Sequence, residues 1–471
     1  MRRLFQQPFY CFLLPLFFVL HGYVQNYGLL PGTEALRLLL IYGFIAGLLL
    51  LACQRLFVSR AKAGTFVFVL LGMELFYGAV IDALHNRIPL LPASPVAALP
   101  LLLLILFLLT IWLRRAKEPL ALQSFLNLLL LVLLLVDAGG WWKKNAGQAS
   151  EKARRAWSIN KATGQKPDVF LIIADEYAGN RQLTELLHFD NSPFLDSLRQ
   201  RGFQVDDDAR SNYNYTEYST ASLLNGAYFP AASRTNAADV GRCFSWIRNN
   251  EASAFFKSQG YALHNLSIFD MDDAPSPSPR TWNDQWNNIL RQQTLSARMY
   301  NRLTGPAKES ATFEAVNNAL LAATDSLLSQ PAPSPRFVYT HLLLPHSPYY
   351  RDATGRPKVT FDRFNTDAYL QYLQYGNGVY LQLVDTILRK AQRPTVILLM
   401  ADHGFRSLRQ AVDKEYFFMN LSAVYYTPGL MREWPAGKGM INQFRILLDS
   451  CFAQQLPMLP NERHFIGEQD H

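Results

Sequence analysis

Four short segments place acids, a hydroxyl and imidazoles where they can do chemistry. Leu171-Ile-Ile-Ala-Asp175-Glu176 ends an apolar run in two carboxylates. Leu398-Leu-Met-Ala-Asp402-His403-Gly404 ends another in an acid, an imidazole and a glycine that lets the backbone turn sharply. A hard oxygen beside a nitrogen donor suits a divalent metal. Leu344-Pro345-His346-Ser347-Pro348 holds a histidine between prolines, where it can ligate metal, hydrogen-bond an anionic oxygen or cap a turn. The fourth segment is polar from Asn212 and enters a helical pattern at Thr216. A hydroxyl there sits at the positive end of a helix dipole, and bound to metal it loses its proton readily and can attack phosphorus. Plainer roles stay open for Asp175 and Thr216, since either residue type also serves as a helix N-cap.

Elements must bring these segments together. Both acid pairs follow apolar runs of the kind buried inside a parallel sheet, and ligand sites in open α/β sheets gather beyond the carboxyl ends of strands. The pattern predicts strands at 169–174, from 203, at 261–269, 336–344 and 395–400. It predicts helices at 192–201, 313–329 and 368–391, with surface loops at 274–279 and 331–335. The fold expected for residues 167–471 is an α/β domain with a mostly parallel central sheet covered by helices.

The chain before that domain is different. Apolar stretches run over 8–23, 35–57, 65–84, 93–113 and 120–138. Each is near the ~20 residues that cross a bilayer as a helix, and apolar on all faces. A five-helix transmembrane domain over residues 1–140 is expected. His21-Gly-Tyr-Val-Gln offers no small-x-small cleavage site, so the first stretch is expected to be retained. Arg2 and Arg3 precede it, Arg55 lies at the end of the second with Arg60 and Lys62 after it, and Arg114, Arg115 and Lys117 follow the fourth. The positive-inside rule then puts the N-terminus in the cytoplasm and everything after residue 140 outside. Residues 141–166 form an interfacial linker. Trp141, Trp142, Lys143 and Lys144 suit the membrane surface, and 151–160 reads either as a short basic surface helix or as a plain linker.

Composition excludes several classes. Of 471 residues, 49% are hydrophobic and 17% charged, which rules out disorder. The 45 Lys and Arg exceed the 37 Asp and Glu by 8, but most of that excess flanks the apolar stretches. No nucleic-acid partner is expected, because the basic pI reflects topology charges and not a basic face. Glu74, Asp82 and Asp137 are the only acids within the apolar stretches, and no broken-helix pair is evident, which argues against a transporter. The four cysteines include no C-x-x-C pair, and Cys243 and Cys451 are either a disulfide or two thiols. His341, within an apolar strand, is expected to be a satisfied core residue close enough to His346 to support it.

The segments after residue 167 together resemble the alkaline phosphatase/sulfatase superfamily. Asp-Val-Phe-Leu-Ile-Ile-Ala-Asp175-Glu176 resembles its opening strand and first metal carboxylate. Ser192-Pro-Phe-Leu-Asp-Ser-Leu-Arg-Gln-Arg-Gly202 resembles its "TPN-(I/L)-D-x-L-x-x-x-G" helix. Thr216-Glu-Tyr-Ser-Thr-Ala-Ser-Leu-Leu-Asn-Gly226 aligns without a gap to "C-x-P-S-R-A-S-L-L-T-G". Met400-Ala-Asp402-His403-Gly404 resembles "S-D-H-G", and His346-Ser-Pro348 resembles "H-x-P". Thr216 stands where a sulfatase needs Cys or Ser, and Thr220 replaces the sulfatase arginine. A threonine nucleophile behind several membrane spans is similar to the branch that holds lipoteichoic acid synthases and lipid A phosphoethanolamine transferases.

That resemblance implies a metal held by Asp175, Thr216, Asp402 and His403. One divalent ion is implied, zinc or manganese ahead of calcium, with a second left open. It implies catalysis by Thr216 and His346, with Glu176, Arg406 and His341 as further substrate-site candidates. The implied reaction moves phosphoethanolamine or phosphoglycerol from a membrane phospholipid donor to an envelope glycan or glycolipid acceptor through a phosphothreonine. A phosphodiesterase or sulfatase-like hydrolase, and a non-catalytic membrane paralogue, are the alternatives. The implied location is the inner membrane, with the catalytic domain periplasmic.

Overall fold

The computed structural model describes residues 7–27, 30, 32–88, 94–152, 157, 166–230, 237–271, 274–277, 289–431 and 433–467. Arg2, Arg3, residues 278–279 and most of the expected helix at 151–160 lie outside these. Two compact units are present. One joins residues 1–154 with 284–305, and the other joins 155–283 with 306–469.

The first unit holds α1 Tyr10–Gln25, α2 Gly32–Leu56, α3 Arg60–Leu75, α4 Tyr77–Arg87, α5 Pro95–Arg115 and α6 Leu120–Lys152. Three helical segments are long and apolar enough to cross a membrane, namely Gly32–Leu56, Pro95–Arg115 and Leu120–Ala146. The stretch expected as one continuous span at 65–84 is instead broken between α3 and α4, which bend by 57°. Together they count as a fourth candidate, whereas α1 has only 16 residues. At ~1.5 Å per residue such a helix falls short of the ~30 Å hydrocarbon core.

Polar partners explain the break. Glu74 accepts hydrogen bonds from the Ser296 N–H at 3.2 Å and from the Ser296 hydroxyl. Asp82 takes the Arg298 guanidinium through two bonds of 2.7 and 2.5 Å. Gly78 lies between, and a Cβ there would come within 2.8 Å of the Gln293 Cα. Leu290, 3% exposed, completes the same unit's apolar cluster. Asp137, the remaining acid, pairs with His21 at 3.0 Å.

The second unit opens with β1 Asp168–Ala174, α7 Asn180–Glu185, α8 Ser192–Gln200, β2 Gln204–Val205, α9 Thr216–Asn225, α10 Ala237–Arg248, α11 Glu251–Ser258 and β3 Ala262–Leu266. It continues through α12 Leu295–Leu328, whose first turns belong to the first unit, then β4 Arg336–Leu342, β5 Tyr349–Arg351 and β6 Pro357–Thr360. α13 Thr366–Lys390, β7 Thr395–Ala401, β8 Ser422–Tyr426 and α14 Gln443–Phe452 complete it. The main sheet has the order β2-β8-β7-β1-β4-β3. Strands β3, β4, β1 and β7 run parallel, while β8 is antiparallel to β7 and β2 to β8. The sheet is therefore mixed, parallel at its centre and antiparallel on one side.

β1, β4 and β7 are buried at every position. Strands covered on both faces read as continuous apolar runs, which is why they were legible. α12 starts at 295 and not 313, passing straight through Gly305-Pro306. No disulfide joins Cys243 and Cys451.

Candidate active site

Strand register brings the two acid pairs together. β1 and β7 are parallel neighbours with Ala174 opposite Ala401, so the next residues, Asp175 and Asp402, emerge side by side. Ligand atoms of Asp175, Asp402 and His403 all lie within 4.8 Å of one another, and all three residues are buried. β4 adds His341 opposite Ile173, with Nε2 3.5 Å from Asp175 Oδ2. Asp175 is not a helix cap: its N–H bonds to Leu342 O, and α7 begins only after Gly179.

Thr216 is the first residue of α9, and Tyr215 occupies the N-cap position. The capping role is thereby excluded. Between Ser211 and Gly226, Thr216 is the only residue that is not buried. Its Oγ1 lies 3.3 Å from His403 Nε2.

The cluster fits a divalent cation on two counts. Asp175 Oδ1 and Asp402 Oδ2 are buried without any hydrogen-bond partner. Such acceptors are costly unless something positive answers them. The His403 tautomer also suits a ligand. Nδ1–H donates to the Gly404 carbonyl at 2.8 Å, leaving the Nε2 lone pair to face the acids. Burial, then the Arg406 charge, hold this imidazole well below its ordinary pKa, hence neutral. Burial and the adjacent Asp175 push Asp402 well above the usual carboxylate range. Burial works the same way on Asp175, but the neighbouring imidazoles of His346 and His341 outweigh it and hold that group low. The two acids titrate as a pair, with one of them favouring its proton until a cation arrives.

Gly404 is needed for close approach and not for a sharp turn, since its φ is not positive. A Cβ there would lie 2.6 Å from the Tyr416 carbonyl and closer still to that of Met419. Glu176 supplies the strained backbone instead, with φ +59°. Its N–H donates to Asp402 Oδ1 at 3.0 Å, and its carboxylate accepts the Arg406 N–H at 3.1 Å. A residue held in this conformation costs on the order of 1–3 kcal/mol and persists only where its surroundings enforce it. The Tyr369 hydroxyl enforces it, donating to Glu176 O and accepting the Ala178 N–H, each at 2.9 Å.

His346 stands across from Glu176, Nε2 to Oε2 at 3.8 Å, with its ring stacked on Phe313. Its Nδ1 donates to the Ser347 carbonyl. Arg406 lies 4.0 Å above the Tyr215 ring. A cavity of about 320 Å³ opens here, lined by Glu176, Tyr215, His346, Arg363, Phe364 and Arg406 among others. All the candidates converge on this region. His341 differs from expectation, because it is not a satisfied core residue: Nε2 has no hydrogen bond and faces Asp175. Sequence reasoning missed Tyr369, Arg363 and Gln182, whose amide clamps Phe405 N–H and O at 2.9 and 2.6 Å. No motif or periodicity marked them.

The sulfatase family model matches residues 167–438. No curated protein sequence matches the chain. Among solved structures, similarity extends to the C-terminal periplasmic domain of EcEptC from Escherichia coli, at 13% identity and TM-score 0.36, covering 57% of this chain and 77% of that one. The soluble domain of lipooligosaccharide phosphoethanolamine transferase A from Neisseria meningitidis shows 13% identity and TM-score 0.38, covering 58% and 82%. A putative sulfatase from Bacteroides thetaiotaomicron shows 13% and 0.38, covering 64% and 73%.

Proposed function

The chain belongs to the sulfatase family, and we propose that it is a membrane-anchored, metal-dependent transferase of a phospho-alcohol group. The group is phosphoethanolamine or phosphoglycerol, taken from a phospholipid and given to an envelope glycan or glycolipid. One observation carries the reading: a threonine at the start of a helix, not acting as its cap, meets a buried acid–acid–imidazole cluster with two unanswered oxygens.

Asp175, Asp402, His403 and Thr216 would hold the cation, zinc or manganese. When bound, it supplies charge neutralisation on the phosphoryl oxygens and a lower pKa for the threonine hydroxyl. The other steps belong to the chain's own groups. Thr216 Oγ1, its proton lost to solvent, attacks phosphorus in line. The bond from phosphorus to the diacylglycerol oxygen breaks, and His346 Nε2 delivers a proton to that oxygen. The acceptor hydroxyl then attacks phosphothreonine, His346 takes the proton back, and Thr216 is released. Glu176 orients His346, His341 orients Asp175, and Arg406 balances phosphate charge.

Residues 1–140 would anchor the site through the three long apolar helices and the bent pair as a fourth span, with α1 too short to cross by itself. Residues 141–166 would form the interfacial linker and 167–471 the periplasmic catalytic domain at the inner membrane. Anchoring raises the effective concentration of lipid donor.

Intact mass after incubation with mixed phospholipids tests the proposal. An adduct on the parent chain that Thr216→Ala lacks is the expected result, and its mass names the group. Diacylglycerol release without adduct or acceptor, still dependent on Thr216, would instead favour the hydrolase. No adduct, no release and no bound metal would leave a non-catalytic paralogue.

A further inference from the structure

We propose that the donor headgroup is a neutral polyol, as in phosphatidylglycerol, and not an ammonium, as in phosphatidylethanolamine. This rests on the transferase reading above and goes further by naming the lipid.

The charges around the cavity carry the argument. Among the described residues lining it, the charged groups are Arg363, Arg406 and Glu176. Glu176 is 2% exposed, and its two oxygens already face the Arg406 N–H at 3.1 Å and His346 Nε2 at 3.8 Å. An ammonium in the cavity meets almost none of this carboxylate's surface, because the group is buried.

The alternative way to hold an ammonium is the face of an aromatic ring. Four rings line the cavity, Tyr215, Phe364, Phe417 and Phe465, but cations already sit on three of them. Arg406 lies 4.0 Å from the Tyr215 centroid. Arg363 and Arg409 lie 4.8 and 5.6 Å from that of Phe364. Lys414 lies 4.1 Å from Phe465, which also stacks on Phe417. A positive headgroup entering here would approach Arg363 and Arg406 on the cavity wall, Arg409 being ion-paired with Asp362, and like charges close together are unfavourable.

A glycerol headgroup meets no such penalty. Its phosphodiester answers the cations, and the buried Arg406 Nε has no hydrogen-bond partner of its own. Ser407, also in the lining, offers a hydroxyl to those of the headgroup. Arg363 is exposed, so replacing it leaves the packed core alone.

The test uses the full-length chain with Thr216→Ala, so that binding is read without turnover. Calorimetric titration compares glycerophosphoglycerol with glycerophosphoethanolamine. The expected result is on the order of tenfold tighter binding of the glycerol diester, for one close charge pair at a protein surface. Adding Arg363→Glu should erase or invert that preference, with Arg363→Gln intermediate. Equal or tighter binding of the ethanolamine diester would overturn the inference.

A second arm incubates the Thr216-intact chain with phosphatidylcholine vesicles carrying either phosphatidylglycerol or phosphatidylethanolamine, and measures diacylglycerol. Faster release from phosphatidylglycerol supports the inference. Thr216-dependent release that is equal from both, or faster from phosphatidylethanolamine, overturns it and leaves the transferase standing. Release from neither, with no binding of either diester, overturns both.

Discussion

Stripped of divalent cations, Asp402→Asn should be at least as stable as the parent chain at pH 8, although it alters a fully buried charged residue. The acids' ligand oxygens lie within 4.8 Å. At an effective dielectric constant near 20, two charges that far apart repel by about 3 kcal/mol. Asparagine keeps what Asp402 Oδ1 does now, since an amide oxygen can accept from the Glu176 and His403 N–H groups, each at 3.0 Å. It gives up only the charge. Burial and Asp175 raise the Asp402 pKa in the folded chain. A raised carboxyl contributes stability that is complete below about pH 4, its unfolded value, and lost as pH rises through the folded value. The parent should therefore lose ground to the variant progressively as pH rises above about 4, by at most ~3 kcal/mol or roughly 5 °C in Tm. His403 has the opposite sign: its pKa is depressed, so stability falls as pH drops through the ordinary histidine value. That contribution fades above the ordinary histidine value, so the comparison at pH 8 does not depend on it. Asp175 is held low and titrates below this window. Zinc should reverse the order, stabilising the parent by about 2.7 kcal/mol at a hundredfold excess over Kd while the variant gains little. The assay is thermal unfolding of both chains across that range, with chelator and then with zinc. A metal-free variant less stable than the parent at pH 8, or a difference flat with pH, would refute the reasoning.

Thr216→Ala should leave stability within about 0.5 kcal/mol, because Thr216 caps nothing, yet abolish diacylglycerol release; melting and lipid assays run together check both. Gly404→Ala should cost about 1–3 kcal/mol in urea unfolding, since its Cβ would collide with the Tyr416 and Met419 carbonyls. The same change should weaken metal binding by displacing His403. His341→Phe removes the ring nitrogen 3.5 Å from Asp175, and should weaken divalent binding by ten- to a hundredfold in competition with a chromophoric chelator.

What could be read in advance was what local pattern encodes. β1 and β7 announced themselves as apolar runs because they are covered on both faces, and the acids after them marked the strand ends. The pairing of those strands was not readable residue by residue, because register depends on contacts between segments more than 200 positions apart. It is that register which turns two ambiguous acids into one cluster. The N-cap alternative for Thr216 fell only when the helix was seen to start at Thr216 itself. Tyr369 and Gln182 were invisible because each acts on partners some 190 or more positions away, and Arg363 because nothing local marks it as facing the cavity. The break at 75–77 was hidden for the same reason: Glu74 and Asp82 read as stray acids until Ser296 and Arg298, some 220 positions on, are set against them.

Those two acids also bear on how the protein can be taken apart. Residues 289–305 are numbered with the catalytic half but packed with the helices. Truncating the gene at the junction, say at residue 157, would carry this segment away from its seat. It would strip Leu290 of its apolar neighbours and leave Arg298 without its carboxylate. A released catalytic fragment would therefore display a sticky strip that the intact chain conceals, and should precipitate more readily than its surface charge suggests. Grafting the domain onto a foreign anchor meets the same obstacle, because the graft must bring either a matching socket or a shortened 289–305. In this chain the module that can be exchanged is discontinuous in sequence, and the junction between its halves is a poor place to cut.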